Sequence, residues 1–392
     1  MKIAVVSHGF PPFLASCGGI ASYAYNLSTS LSELGLDVTV FCGSPTPSLS
    51  RHGTLTINRL LYPLSAKVPP NFLWFQLRNR RELIDKLKEF DLIHSQSPEN
   101  TISVLGKLKS RNAKWVITFH SSLQRELQAF FSEPTSQWSI RDTATNVLGM
   151  PLMEALTRFE IKYSDHYFFT ARTNVADYSK FYSVVPSKST LIPNGVDVDE
   201  MDRVLAQAGN NTIEKQILVF GRLYVRKGFD LAIRAIKHVI REHNDATLVV
   251  IGSGPQESKL RSLVKNLNLE KNVFFRGYVT RQELLREIVR SAVVVFPSFY
   301  EVQCTSTLEA MGLRKPVVAF KIPSMQEIIS HMKTGYLVDE RNSLKLGRAL
   351  SFLLDDERLA RKLGSNAYNY VCQVHDWKIL ARKYLQTYRM IT

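Results

Sequence analysis

From Lys2 to Val338 the chain alternates apolar runs of strand length with longer stretches whose apolar residues recur every helical turn, and at Gln216 the plan starts again. That alternation is the pattern of parallel βαβ units, with buried strands joined through crossover helices. Lys2–Ser7 (KIAVVS) leads through a Gly/Pro-rich loop to a helix predicted around Ile20–Leu34 and then to Asp37–Cys42. Leu92–His94 and Trp115–Phe119 are further strand candidates. In the second half Ile217–Phe220 is a strand, and Phe229–Arg241 a helix with Leu231, Ala232, Ala235, Ile236, Val239 and Ile240 on one face. Thr247–Ile251, Ser291–Phe296, Pro316–Phe320 and Gly335–Val338 continue the series, and Thr280 and Glu283 have capping-box spacing before another helix. A chain of 392 residues is too long for one compact core and fits two domains. The pattern predicts two similar α/β domains facing each other across a cleft, with the polar stretch Ala206–Gln216 as the linker.

No apolar run is long enough to span a bilayer, and the N-terminal one is too short for a signal-peptide core. Cys17, Cys42, Cys304 and Cys372 are too dispersed for a CxxC metal site or a disulfide framework, so a reducing cytoplasm is expected. The net charge of +15 favours anionic partners: nucleic acid, anionic lipid or phosphorylated small molecules. Arg59 and then Arg78, Arg80, Arg81, Lys86 and Lys88 lie around Phe72–Phe75, and Lys107, Lys109, Arg111 and Lys114 form a second basic group. Basic residues beside aromatics suit a membrane surface. They fit a solvated helix face with a buried aromatic side equally well.

Several loops at predicted strand ends carry chemistry. Residues 297–312 (PSFYEVQCTSTLEAMG) place Glu301 in the turn leaving a strand and Glu309 about two turns into the next helix. Ligands of open parallel sheets bind at the carboxyl ends of the strands, where two carboxylates can accept hydrogen bonds from sugar or ribose hydroxyls. Spacing alone favours a plainer reading, a helix-capping Glu301 and a solvated Glu309. Arg222 and Lys227 sit in the loop after Ile217–Phe220, and two fixed cations there suit a departing diphosphate. Gly18 and Gly19 open a helix after the first strand, a place for backbone N–H groups to meet an anion, but the loop lacks the GxGxxG dinucleotide fingerprint. His120 ends a buried strand at the crevice edge and is a candidate substrate contact, whereas His94 reads as structural. Asp197 and Asp199 form a DxD that reads as an acidic pair at a helix N-terminus in preference to a metal site.

In their order, KIAVVSHGFPP…GGI, WVITFH, LIPNGVD, LVFGRLYVRKGFDLAIRAI, VVIGSGP, VFFRGYV and PSFYE…TLEAMG-KPVVAF (interrupted by Leu313-Arg314) resemble the GT-B-fold retaining glycosyltransferases of family 4. The resemblance spans nearly the whole chain. It implies two Rossmann-like parallel-sheet domains: residues 1–200 on the acceptor side, joined by a returning C-terminal helix in 376–392, and residues 201–375 binding the nucleotide sugar. It further implies that Arg222 and Lys227 bind the diphosphate, helped by the amides of Gly18 and Gly19. Glu309 would hold the ribose, Glu301 would lie beside the transferred sugar, and His120 would contact sugar or acceptor. The base would rest near Gly277 and Tyr278. The implied reaction moves a hexosyl group, with retention, from a UDP-, GDP- or ADP-sugar to a hydroxyl of a glycan or lipid-linked glycan. No cofactor, metal or nucleic acid is expected, and the cytoplasmic protein would touch an anionic membrane surface peripherally. The alternative is a non-catalytic nucleotide-sugar or glycan-binding relative in an assembly. The chain departs from the family after Glu301, where Val302-Gln303-Cys304-Thr305 replaces a small apolar run whose amides meet sugar hydroxyls. Gln303, Cys304 and Thr305 therefore bear on which sugar is taken.

Overall fold

The computed structural model describes residues 1–11, 18–62, 71–97, 101, 104, 113–131, 149–209, 212–302 and 305–392, without the side chains at 71–74, 76, 126, 128–130 and 150. Two compact units result: Met1–Asn194 with Trp377–Thr392, and Gly195–Asp376.

In the first unit the strands are β1 (Lys2–Ser7), β2 (Asp37–Ser44), β3 (Ser48–His52), β4 (Leu55–Leu61), β5 (Leu92–Ser95), β6 (Lys114–Phe119), β7 (His166–Phe169) and β8 (Ser189–Leu191). Helices α1 (Gly18–Glu33), α2 (Asn71–Leu87), α3 (Leu123–Phe131), α4 (Met150–Tyr163) and α5 (Arg172–Phe181) connect them. The sheet order is β3-β4-β2-β1-β5-β6-β7-β8. All its pairings are parallel except β3 with β4, an antiparallel edge. Strand β1 buries every residue from Ile3 to Ser7, as a central strand covered on both faces must.

The second unit contains α6 (Val198–Ala208), β9 (Gln216–Phe220), α7 (Phe229–Val239), β10 (Thr247–Ile251), α8 (Glu257–Asn266), β11 (Val273–Gly277), α9 (Arg281–Arg290) and β12 (Val293–Phe296). It continues through α10 (Thr305–Gly312), β13 (Val317–Phe320), α11 (Pro323–Ile328), β14 (Tyr336–Val338), α12 (Ser343–Asp355) and α13 (Glu357–Val374). Its sheet is wholly parallel in the order β11-β10-β9-β12-β13-β14. One continuous core, from Ile217 and Leu218 through Val293–Val295 to Leu346 and Leu350, fills the space between sheet and helices.

The expected linker at Ala206–Gln216 is corrected. Its first residues end α6, a helix of the second unit capped by Asp197, and the chain passes between units at Asn194–Gly195. The last helix, α14 (Trp377–Ile391), belongs to the first unit. Its Trp377, Leu380, Ala381, Tyr384 and Tyr388 share a buried cluster with Ile3, Val5, Tyr23 and Leu27. Polar bonds fix its rotation as well: His94 Nδ1 meets Tyr388 Oη at 2.6 Å, and the Tyr23 and Tyr384 hydroxyls pair.

The basic segment divides. Arg59 is buried in β4, donating to the Pro11 carbonyl and the Cys42 sulfur, and so is no part of a surface patch. On α2, Phe75, Leu83 and Leu87 face the core while Arg78, Arg80, Arg81 and Lys86 are exposed. The side chains of Phe72, Leu73 and Trp74, and residues Lys107, Lys109 and Arg111, lie outside the described residues. Among those described, no helix is long and apolar enough to cross a membrane.

Candidate functional site

In the second sheet the chain runs outward from β9 to β10 and β11, then crosses back to β12 beside β9. The loops leaving β9 and β12 thus diverge at a topological switch point, where open parallel sheets bind ligands. The β9 loop carries Arg222, Arg226 and Lys227; the β12 loop carries Glu301.

Backbone packing aligns these loops. Gly228 has φ +67°, and a Cβ there would meet the Pro297 carbonyl oxygen at 2.0 Å, so only glycine allows the close approach. Phe299 N–H donates to the Arg226 carbonyl at 2.7 Å across the same seam. On the other side, a Cβ on Gly252 would fall 1.9 Å from the Gly221 carbonyl oxygen, and Leu223 N–H donates to the Ser253 carbonyl at 3.0 Å. Arg222 is held between these contacts.

Lys227 Nζ lies 2.5 Å from Glu301 Oε1, and Arg226 Nη1 lies 3.8 Å from Glu301 Oε2. The Glu301 side chain is only 8 % exposed. Burial alone would raise its pKa, but the charges of Lys227 and Arg226 outweigh burial and hold it below the ordinary carboxylate value. Glu301 is therefore an ionised, paired carboxylate and not a simple helix cap.

Glu309 sits just over one turn into α10, not two, and at 8 % exposure it is not a solvated helix residue. Its Oε1 accepts from Arg281 Nη1 at 2.7 Å. Arg281 in turn grips Glu200 of α6 with Nε and Nη2, at 2.6 to 3.0 Å. Burial would lower the Arg281 pKa, yet the two carboxylates raise it. Thr305 is the first residue of α10. Gly277 ends β11 at φ +67°, its carbonyl accepting from the Gly252 N–H, while Tyr278 beside it is 70 % exposed. Gln303 and Cys304 lie outside the described residues. Asp197 caps α6, its Oδ1 accepting from Glu200 N–H at 2.9 Å, as an acidic pair at a helix start should.

The first unit has its own switch point, between β1 and β5. Gly18 and Gly19 are the first residues of α1, and a Cβ on Gly19 would meet nothing within 4 Å, so the protein itself does not demand a glycine there. His120 follows β6, its Nε2 3.3 Å from Oε1 of the buried Gln96, whose Nε2 has no partner among the described residues. Its ring packs edge-on to Tyr23 at 4.6 Å. Burial pushes its pKa down to about 3, so the imidazole is neutral at physiological pH. His94, bonded on both nitrogens to Tyr388 and Thr118, is the structural histidine expected.

Sequence reasoning singled out Arg222, Lys227, Glu301, Glu309 and His120 but missed Arg226, Arg281, Glu200 and Gln96. Arg226 was legible as the neighbour of Lys227. Arg281 and Glu200 are 81 residues apart and carry no shared local signal.

Two family models match the chain, Glycosyltransferase Family 4 over residues 17–200 and Glycosyl transferases group 1 over residues 201–370. An uncharacterized glycosyltransferase of Methanocaldococcus jannaschii is 27% identical across 100% of this chain and 98% of its own length. Among solved structures, sucrose-phosphate synthase of Thermosynechococcus elongatus superposes with a TM-score of 0.81 at 23% identity, covering 100% of this chain and 99% of that one. Anabaena HepE in complex with UDP-glucose gives 0.72 at 17% identity, with 100% of both chains covered. At such identities the likeness is one of fold.

Proposed function

We propose that this chain, which belongs to glycosyltransferase family 4 and has the GT-B fold, moves a hexosyl group with retention from a nucleoside-diphosphate sugar to a hydroxyl of a glycan or lipid-linked glycan. The observation that carries this reading is the cationic loop beside an ionised, buried carboxylate at the β9/β12 switch point. Arg222, Arg226 and Lys227 set against Glu301 leave two net positive charges (three minus one), which matches a diphosphate.

In this reading Arg222 and Lys227 bind the diphosphate and disperse the charge that grows on it as the glycosidic bond breaks. In the first unit the amides opening α1 at Gly18 and Gly19 are N–H donors for an anion, and the open space over Gly19 leaves room for one to approach. Glu301, fixed by Lys227, accepts from hydroxyls of the transferred sugar, and Glu309 accepts from the ribose. The base lies along Gly277 and Tyr278, and Gln303, Cys304 and Thr305 border the sugar. Neutral His120 acts as a hydrogen-bonding group toward sugar or acceptor and not as an imidazolium. The departing diphosphate takes the acceptor proton on the face it leaves, which gives retention. The cations do the work a divalent ion would otherwise do, so transfer proceeds in EDTA. A UDP-glucose complex of a protein with the same fold supports a nucleotide-sugar donor. The exposed Arg78, Arg80, Arg81 and Lys86 of α2 support a peripheral contact with anionic lipid.

Thermal-shift measurements with UDP, GDP and ADP identify the donor base through selective stabilisation. Product release is then followed with the matching sugars and glycan acceptors. Arg222→Ala is expected to cut transfer by at least ~10²-fold with the fold intact. Nucleotide binding without turnover on any donor and acceptor pair would replace this reading with a non-catalytic binding protein. Failure to co-sediment with anionic vesicles at low salt would remove the membrane contact.

A further inference from the structure

Arg281 is the first residue of α9, behind a complete capping box of Thr280 and Glu283 that fixes where the helix starts. From there its guanidinium reaches two carboxylates on two other helices. Nε and Nη2 take both oxygens of Glu200 on α6, and Nη1 takes Oε1 of Glu309 on α10. The planar fork matches the bidentate geometry of Glu200, so the third nitrogen arrives at Glu309 with its direction already set. Glu309 Oε2 accepts no hydrogen bond among the described residues. Of the three only Glu309 is buried and Arg281 is nearly half exposed, so the ion triad contributes little net stability and its value lies in orientation.

We infer that Arg281, anchored by Glu200, is a positioning residue that locks the Glu309 carboxylate and leaves one of its oxygens for the ribose diol of the nucleotide. The inference rests on the assignment of Glu309 to the ribose made above. Arg281 itself need not touch the donor. It removes the rotamer freedom that Glu309 would otherwise lose on binding. The lock therefore supports discrimination between a ribonucleotide and its dideoxy counterpart.

The test measures binding of UDP, GDP and ADP and of their 2′,3′-dideoxy analogues by calorimetry, with melting curves to confirm folding. For the base that binds, the ratio of ribo to dideoxy affinity is expected to fall about tenfold in Arg281→Ala, the worth of one charge-assisted hydrogen bond. It falls less in Arg281→Lys, which restores a cation without the fork, and severalfold in Glu200→Gln, which loosens the anchor from outside the site. In a Glu309→Ala background neither change has a further effect. If Glu309→Ala leaves the ratio at its native value, the ribose assignment falls and takes the inference with it. If Glu309→Ala collapses the ratio but Arg281→Ala and Glu200→Gln do not, the inference alone is wrong. Losses that persist in the Glu309→Ala background would mean that the triad only holds the three helices together.

Discussion

At the switch point of the second sheet, the polar groups are ions in pairs: Lys227 and Arg226 on Glu301, and Arg281 on Glu309 and Glu200. At the switch point of the first, they are neutral: His120 with Gln96, Tyr23 with Tyr384, His94 with Thr118 and Tyr388. Both sheets use the parallel topology that exposes loops at the strand ends. The difference lies in what each loop set must stabilise. A buried ion needs its partner in every state, whereas a neutral group loses one hydrogen bond at most when a neighbour leaves. The two units should accordingly fail in different ways, and mutation can measure the contrast.

The largest effect is expected from Lys227→Ala. Transfer should fall by at least ~10²-fold as the diphosphate loses a fixed cation. Glu301 would then keep Arg226, at 3.8 Å, and a hydrogen bond from Ser298 as compensation inside a buried site, at a cost of about 3 kcal/mol in stability. Adding Glu301→Gln to that variant should restore the melting temperature but not transfer. In the first unit, His120→Gln should reduce transfer while hardly moving the melt. A Lys227→Ala protein that melts like the native one would erase the contrast.

Glycines sharpen the same comparison. At Gly228 a side chain would need a φ of +67° and would collide with the Pro297 carbonyl, so Gly228→Ala should destabilise the second unit by roughly 3 kcal/mol. At Gly19 a Cβ meets nothing, and Gly19→Ala should leave the melt within about 0.5 kcal/mol of native while weakening nucleotide binding. Urea melts with and without nucleoside diphosphate separate the two. A native-like melt for Gly228→Ala would refute the close-approach argument.

These loops were legible because local chemistry dictates them. Arg222, Lys227 and Glu301 follow unbroken apolar strands, and a strand that ends in a cation or carboxylate announces its crevice. Thr280 and Glu283 form the predicted capping box. What escaped was set by tertiary burial. Strand β4 contains Asn58 and Arg59, which spoil an apolar pattern yet are buried, Arg59 through bonds to the Pro11 carbonyl and Cys42. Short β7 and β8 offer too few residues for a period to show. The polar run after Ala206 looked like a linker because α6 is exposed along most of one face, although the other face packs in the second unit. The Arg281–Glu200–Glu309 triad joins three helices far apart in sequence, and no window of residues contains it.

Acid separates the units next. Burial depresses His94 and His120 to about 3 and His166 to about 4, all in the first unit. Their folded-state values lie below the unfolded value of about 6.5, so the unfolded chain binds more protons between the two. Stability from these groups is full above pH ~6.5 and is lost as pH falls toward the folded-state values. Glu301 also has a depressed value, but its contribution persists until pH drops below the unfolded carboxylate value of about 4.5. His238 in the second unit is lowered too, yet it is only partly buried and its effect is smaller. Between pH 6.5 and 4.5 hydrogen exchange should therefore accelerate in β5, β6 and β7 before it does in β9 and β12. Equal acceleration in both sheets would contradict the placement of the neutral histidines.

A small effect tests how forgiving the neutral network is. Tyr384→Phe removes the hydroxyl that pairs with Tyr23, which is buried beside His120. A buried hydroxyl left unpaired costs about 1–3 kcal/mol. Thr118, however, lies within hydrogen-bonding reach of both tyrosines and already bonds His94. It can turn its hydroxyl toward Tyr23 without moving a charge, which holds the loss near the lower end, about 1 kcal/mol. Adding Tyr23→Phe should then cost little more, since the second change removes the group the first one stranded. Adding Thr118→Val instead should bring out the full penalty, because it withdraws the substitute partner for Tyr23 and a hydrogen-bond partner of His94 together. Additive losses for Tyr23→Phe and Tyr384→Phe would mean that the hydroxyls are not a pair, and that the neutral site tolerates loss no better than the ionic one.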